Sequence, residues 1–77
     1  MIKPEHSRAA RGWLDWTQDE LATLANVGVT TVADFEKEKR TPIDNNVAAI
    51  RRAFEKAGVI FEADGKFVGV KIKKRAR

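Results

Sequence analysis

The chain has 77 residues, 15 Lys and Arg against 11 Asp and Glu, and a formal net charge of +4, and its length is that of one small domain with a modest core. It contains no Cys, which excludes disulfide frameworks, thiolate zinc sites and thiol redox chemistry. Its longest apolar runs are four residues, far short of a bilayer span, and residues 1–6 lack the apolar stretch of a signal peptide. We therefore expect a cytoplasmic protein with no membrane partner.

The positive charge is concentrated at the C-terminus. Residues 71–77 hold five bases and no acid, so the first 70 residues carry ten bases against eleven acids, a net charge of −1. Such a tail is either a solubilising end or a basic arm that lies along DNA phosphates or in a minor groove. The sequence leaves both interpretations open.

Apolar residues recur at helical spacing over residues 5–14, which predicts the first helix. The positions that follow this spacing are Ala9, Ala10, Trp13 and Leu14. A second helix is predicted to begin after Thr17, because Thr17-Gln18-Asp19-Glu20 has the pattern of a capping box, in which the Thr hydroxyl accepts from the Glu20 amide and the Glu20 carboxylate reaches back. Its predicted buried stripe is Leu21, Leu24 and Ala25.

The helical pattern breaks at Asn26-Val27-Gly28. Asn tolerates a left-handed backbone and Gly is a poor helix former, so a tight turn is predicted here. A third helix follows over residues 29–37, with Val32 and Phe35 facing inward, and a fourth over residues 44–57, which Gly58 is placed to end. The predicted buried face of the fourth helix is Val47, Ile50, Ala53, Phe54 and Ala57.

After Gly58 the period of the apolar pattern becomes two, which predicts strands over residues 59–62 and 67–73. Asp64-Gly65 between them is a strong hairpin signal. Because an isolated two-stranded ribbon is marginal in water, the hairpin must pack on the helices, pair with a second copy, or both. The residues assigned to a dimer interface are Val59, Phe61, Val68, Val70 and Ile72.

Residues 18–35 carry the pattern that is most informative about function. Two short helices are joined by a tight turn, with the small Ala22 where the second helix crosses the first and Val27 in the angle between them. This pattern predicts a helix-turn-helix. An ordinary antiparallel helix pair is the alternative.

Four motifs occur here in register: Thr17-Gln18-Asp19-Glu20-Leu21-Ala22, Ala25-Asn26-Val27-Gly28-Val29-Thr30-Thr31-Val32, Phe35-Glu36 and Arg40-Thr41-Pro42. Together they resemble the Cro and phage-repressor type of helix-turn-helix regulators, often called the xenobiotic-response-element family. The resemblance covers roughly residues 7–58. The chain departs from the family pattern at three positions: Asn26 replaces the usual Gly of the turn, Gly28 replaces the usual Ser or Thr cap, and Glu38 replaces a Gly.

The resemblance implies a compact bundle of four to five short helices whose third helix enters the major groove of double-stranded DNA. The DNA-contacting residues that it implies are Thr17, Gln18, Gly28, Val29, Thr30, Thr31, Ala33, Asp34 and Lys37. Thr and Val can contact a thymine methyl group, and Lys37 can reach a phosphate. Asp34 repels phosphate unless it accepts from a cytosine amine or pairs with a cation such as Lys37.

Catalytic and metal-binding functions find no support in the residues. His6 is the only His and there is no Cys, so we expect no enzyme, no metal site and no cofactor. The aromatic residues that we expect in the core are Trp13, Trp16, Phe35 and Phe54. Glu36 and Arg40 are four residues apart, so a local ion pair is predicted between them.

We therefore expect a mainly α protein in which a helix-turn-helix DNA-binding domain over residues 1–58 precedes a C-terminal β-hairpin. The hairpin, over residues 59–73, is the dimerisation element, and residues 74–77 form a basic tail. The leading interpretation is a sequence-specific transcription regulator, a repressor that binds a palindromic operator as a homodimer. The alternative is a protein-interaction adaptor or an antitoxin on the same fold, whose hairpin engages a partner protein.

Overall fold

The computed structural model describes residues 2–63 and 68–72. Within them lie four helices, α1 (Pro4–Leu14), α2 (Gln18–Ala25), α3 (Val29–Glu36) and α4 (Asp44–Lys56), followed by two strands, β1 (Val59–Ala63) and β2 (Val68–Ile72). The mainly helical class and the four predicted helices are confirmed. Each helix begins and ends within one residue of its predicted position.

The helix ends follow the signals in the sequence. The Thr17 hydroxyl accepts from the Glu20 amide at 3.0 Å and the Glu20 carboxylate accepts from the Thr17 amide at 3.2 Å, which confirms the capping box. Asn26 ends α2 in the left-handed conformation, with φ 58° and ψ 46°. Gly58 follows α4 with a φ of 95°, a conformation that favours glycine.

The core lies where all four helices and the first strand meet. Its fully buried large side chains include Leu21, Val32, Val47, Ile50, Phe54 and Val59. Phe35 and Ala53 are also buried, so the predicted inward faces of α3 and α4 are confirmed at these positions. Ile2, ahead of α1, packs into the same core.

Two side chains predicted to be buried are exposed. Trp13 is 66% exposed and Leu24 is 58% exposed, so both predictions are wrong. On α1 the buried residues are His6, Ser7 and Ala10, and Trp13 lies beyond them in the last turn of the helix. On α2 the buried residues are Leu21 and two alanines; the small side chains bring the neighbouring helices close and leave Leu24 outside.

Four rings form a row through the molecule. Trp16 stacks on Phe54 with ring centroids 5.6 Å apart, Phe54 meets Phe61 edge to face at 5.8 Å, and Phe61 lies 5.9 Å from His6. Such offset and edge-on pairs add to the stabilisation from apolar burial. The row joins the α1–α2 connection, α4, β1 and α1.

The two strands are antiparallel neighbours, with Val59 opposite Ile72 and Phe61 opposite Val70. Residues 64–67, where the predicted Asp64-Gly65 turn falls, lie outside the described residues, as do residues 73–77. β1 lies against α4, and β2 lies beside α1.

The structure corrects part of the predicted dimer interface. Val59 is 2% exposed in the core of its own chain, and Phe61 packs against the same core. The Val59 side chain is therefore not available to a second copy, and the half-buried Phe61 side chain is in part covered by its own core. The alternation along β1 leaves Ile60 exposed instead.

Among the described residues, no helix has the length and apolar character needed to cross a membrane.

Candidate nucleic-acid interface

The α2–α3 pair has the geometry of a helix-turn-helix. α3 packs against α2, and Ala22, at the predicted crossing point, is buried. The left-handed Asn26 reverses the chain, and the Val27 amide donates to the Ala22 carbonyl at 3.0 Å. Val27 packs against the core, so it occupies the angle between the helices as predicted.

α3 has one buried side and one open side. Val32, Phe35 and Glu36 are buried, and Thr30 and Lys37 are exposed, with Asp34 half-buried between them. Since a helix turns by about 100° per residue, Thr30, Asp34 and Lys37 fall opposite the buried side. The structure thus brings these predicted residues together on one outward face, beside Val29 and Ala33.

Gly28 and Thr31 lie at the start of this face. Gly28 precedes α3 with extended backbone and no side-chain cap. A Cβ at Gly28 would lie 3.7 Å from the Thr31 hydroxyl oxygen, which is ordinary contact distance. Gly28 is therefore a tolerated cap rather than a conformational requirement.

The two predicted residues at the start of α2 are engaged inside the protein. Thr17 is exposed, but its hydroxyl serves the capping box. The Gln18 side-chain amide donates to the Glu36 carboxylate at 3.1 Å. Gln18 therefore lies beside the end of α3, and one of its two amide hydrogens is already committed.

Glu36 is a buried residue of this region for which the sequence predicted the wrong partner. The predicted Glu36–Arg40 ion pair is absent from the described structure, because Glu36 faces inward and is 2% exposed. Arg11 of α1 donates two hydrogen bonds to the Glu36 carboxylate, from Nε at 2.9 Å and from Nη2 at 2.7 Å. A signal was available: Glu36 follows Val32 by four residues, so it falls on the buried stripe of α3 and needs a partner on another helix.

Further hydrogen bonds complete the Glu36 site. The Ser7 hydroxyl donates to the Glu36 carboxylate, as does Gln18. Arg11 also donates through Nη1 to the Trp16 carbonyl at 2.9 Å. One carboxylate therefore ties the end of α3 to α1 and to the first residue of α2.

The pKa of Glu36 reflects two opposing effects. Burial, the largest single effect, raises it, but the hydrogen bonds from Arg11, Ser7 and Gln18 and the charge of Arg11 together outweigh burial. The pKa of Glu36 consequently lies below its usual value, so the carboxylate is charged at neutral pH. The hydrogen bond to Glu36 also raises the pKa of Arg11.

A second arginine, Arg8, caps the C-terminal end of α3. Arg8 donates from Nη1 to the Glu36 backbone carbonyl, one of the last carbonyls of the helix, which lack partners inside it. The chain then leaves through Lys37 and through Glu38, whose φ is 59°. Exposed cations follow at Lys39 and Arg40.

The arrangement presents a short helix that is rigidly held on its inner side and open on its outer side. Apolar, hydroxyl and charged groups alternate over the outer face, and cations flank its C-terminal end. Such a face can enter a DNA groove while the cations contact phosphates. Within residues 2–63 and 68–72, no three His, Cys, Asp or Glu side chains are grouped to hold a metal ion.

A comparison with protein families agrees with this geometry. A family model described as helix-turn-helix matches residues 8–58, more than half of the chain. A comparison with curated proteins gives no match. The chain therefore belongs to the helix-turn-helix family of DNA-binding regulators, of the Cro and phage-repressor type.

Proposed function

We propose that this protein is a sequence-specific transcription regulator, a repressor that binds double-stranded DNA with the outward face of α3. The observation that carries the proposal is the asymmetry of α3. Its inner side is fixed by Val32, Phe35 and the buried Glu36, whereas the side chains of its outer side have no partner within the described residues. A rigid element with an unpartnered face suits a groove that is read by shape and by base edges.

The proposed contacts follow from the chemistry of each side chain. Val29, Ala33 and the Thr methyl groups meet thymine methyls, while the Thr30 and Thr31 hydroxyls bond to base edges. Lys37 contacts a phosphate. At the start of α2, the remaining amide hydrogen of Gln18 and the backbone near Thr17 meet a neighbouring phosphate or base.

We propose further that two copies bind one operator. A single α3 of eight residues offers few base contacts, so affinity and specificity require a second recognition helix. A symmetric dimer would place its two helices in half-sites about 34 Å apart on one face of the duplex. The operator is then palindromic.

The dimer contact that we propose is the edge of β2 that faces away from β1. One edge of β2 pairs with β1, and antiparallel pairing of the other edge with a second copy would satisfy its backbone groups. Sedimentation over a range of concentrations, alone and with a palindromic duplex, tests this. Two chains per duplex support the dimer, whereas one chain bound at saturation rejects it.

The decisive experiment is selection of bound sites from a random duplex library, followed by substitution of Thr30 and Thr31. A palindromic product identifies target and symmetry together. We expect Thr30→Ala and Thr31→Ala each to lose about 1–3 kcal/mol of binding free energy on the selected site and little on random DNA, measured by fluorescence anisotropy. Equal losses on both duplexes would contradict base readout by these hydroxyls.

A second candidate is a protein-interaction adaptor or antitoxin on the same fold. The observation that favours it is the exposure of Trp13 and Ile43, together with the near-neutral charge of residues 1–70. Binding to random duplex DNA discriminates between the two. A DNA binder loses affinity steeply as salt is raised; weak, salt-independent binding would favour the adaptor.

A further inference from the structure

We propose that Asp34 makes the DNA site specific for cytosine, by accepting a hydrogen bond from the N4 amino group of that base in the major groove. The inference rests on the proposed DNA binding by α3 and adds the base that the helix selects. It also assigns a role to an acidic side chain on a face that must approach a polyanion.

Asp34 lies near the middle of the outward face of α3. It follows Thr30 by four residues, so the two side chains are neighbours on the helix surface, and it lies opposite the buried Val32 and Phe35. Its side chain makes no hydrogen bond and no ion pair with any other residue that the structure describes. Lys37, one turn further on, is exposed and forms no ion pair with it there.

The cations of α1 cannot neutralise this carboxylate in the described structure, because they are committed elsewhere. Arg11 grips the carboxylate of Glu36, and Arg8 bonds to the Glu36 carbonyl. The Asp34 carboxylate therefore has no ion-pair partner among the described residues. On a site without a matching donor, repulsion from the phosphates reduces the affinity.

Only a base with an amino group on its major-groove edge can offset that repulsion. Guanine and thymine present acceptors at the corresponding positions, O6 and N7 or O4, and would repel a carboxylate. Adenine presents its N6 amino group beside the acceptor N7, whereas the N4 amino group of cytosine lies beside the apolar C5–H edge. That edge also suits Ala33, the residue next to Asp34 in α3.

The test combines Asp34→Asn with a change of the DNA. Asparagine keeps the size of the side chain but removes its charge and can donate as well as accept. We expect the variant to bind a short random-sequence duplex about threefold more tightly, since one repulsive charge is lost. Glu55→Gln is the matched control: it makes the same charge change on the exposed surface of α4, in a pair with Arg51.

Site selection with the wild type should enrich cytosine at one position of each half-site. Selection with Asp34→Asn should lose the preference at that position and keep the preferences at all others. Replacing this cytosine pair by a thymine pair should weaken wild-type binding about tenfold or more and weaken Asp34→Asn far less. Circular dichroism confirms that both variants are folded.

The failures of the two proposals differ. If the wild type shows no salt-dependent binding to duplex DNA, DNA binding and the role of Asp34 are both rejected. If the wild type binds a selected site but Asp34→Asn retains every base preference, only the role of Asp34 is rejected. If Glu55→Gln strengthens binding to random DNA as much as Asp34→Asn does, the effect of Asp34→Asn comes only from the change in net charge. That result would likewise overturn the proposal.

Discussion

Glu36 joins three helices through one buried charge. Its carboxylate receives hydrogen bonds from Arg11, Ser7 and Gln18. Burying an ion pair has a large desolvation cost, so the pair adds little stability compared with an apolar contact. Removing one partner is strongly destabilising, because the remaining charge stays buried without an opposite charge beside it.

Glu36→Gln should therefore destabilise the protein by about 2–4 kcal/mol, as measured by urea unfolding at neutral pH. Glu55→Gln is the control, since it breaks an exposed Arg–Glu pair and should cost at most about 0.5 kcal/mol. Equal effects from the two variants would contradict a structural role for the buried carboxylate.

The pH dependence of the stability difference between the wild type and Glu36→Gln reports the pKa of Glu36. Because that pKa is below its usual 4.5 in the folded state, folding favours the ionised form. This contribution is fully present above pH 4.5 and is lost as pH falls through the lower folded pKa. The difference in stability between wild type and Glu36→Gln should accordingly narrow in acid.

Two glycines should respond in opposite ways to the same substitution. Gly12 lies within α1, and a Cβ there would meet nothing within 4 Å, so Gly12→Ala should stabilise the protein by about 0.5–1 kcal/mol. Gly58 has a φ of 95°, so Gly58→Ala should destabilise it by about 1–2 kcal/mol. Thermal unfolding measures both. A loss of stability in Gly12→Ala would indicate that α1 is not helical at this position.

At the scale of elements, the recognition helix is short and depends on its neighbours. Eight residues do not form a stable helix alone in water. α3 is held by the turn at Asn26, by the contacts of the buried Glu36 with Arg11, and by Arg8, which donates to the Glu36 carbonyl. The ends of α3 are therefore fixed by residues of other elements.

Arg8→Met should destabilise the protein by about 0.5–1.5 kcal/mol, because it removes a charged donor from the C-terminal end of α3 while keeping the aliphatic packing. Arg52→Met, at an exposed position of α4, is the control and should change the stability by less than about 0.5 kcal/mol. Hydrogen exchange of α3 amides locates the effect. Faster exchange spread evenly over all helices would argue against a local cap.

The sequence predicted the elements well because their signals are local. The capping box at Thr17, the left-handed Asn26 and the Gly after α4 each act within a few residues. The exposure of Trp13 could not be predicted in this way, since Trp13 falls on the same side of α1 as the buried His6 and only the tertiary packing decides which turns of that side are covered. The partners of Glu36 are likewise 18 to 29 residues away, so periodicity predicts that Glu36 is buried without naming its partners. The outward residues of α3 were predictable, because residues half a helical turn from the buried stripe face the opposite side.

At the scale of the whole molecule, charge and recognition are separated along the chain. The helix-turn-helix lies in a region of net charge −1, and the excess of positive charge is in the last seven residues. Sequence-independent attraction to DNA would therefore come chiefly from residues 71–77, and discrimination between sequences from α3.

Deleting Arg75–Arg77 and changing Lys73 and Lys74 to Gln should weaken binding to random duplex DNA. The slope of log affinity against log salt should fall in magnitude by about 0.9 for each phosphate that the tail no longer neutralises. Neutralising Arg52 and Lys56, exposed on α4, is the control. An unchanged slope after the deletion would make the tail a solubilising end.

The stacking of Trp16 on Phe54 has a consequence for optical measurements of folding. The two indoles of the chain lie in different environments, since Trp16 is partly covered by the core and Trp13 is open to water. The emission of Trp13 should remain red-shifted in the folded and unfolded states, while that of Trp16 should shift on unfolding. Trp13→Phe would thus leave Trp16 as the one tryptophan of the chain. Its emission wavelength would report the packing of α4 against the segment between α1 and α2.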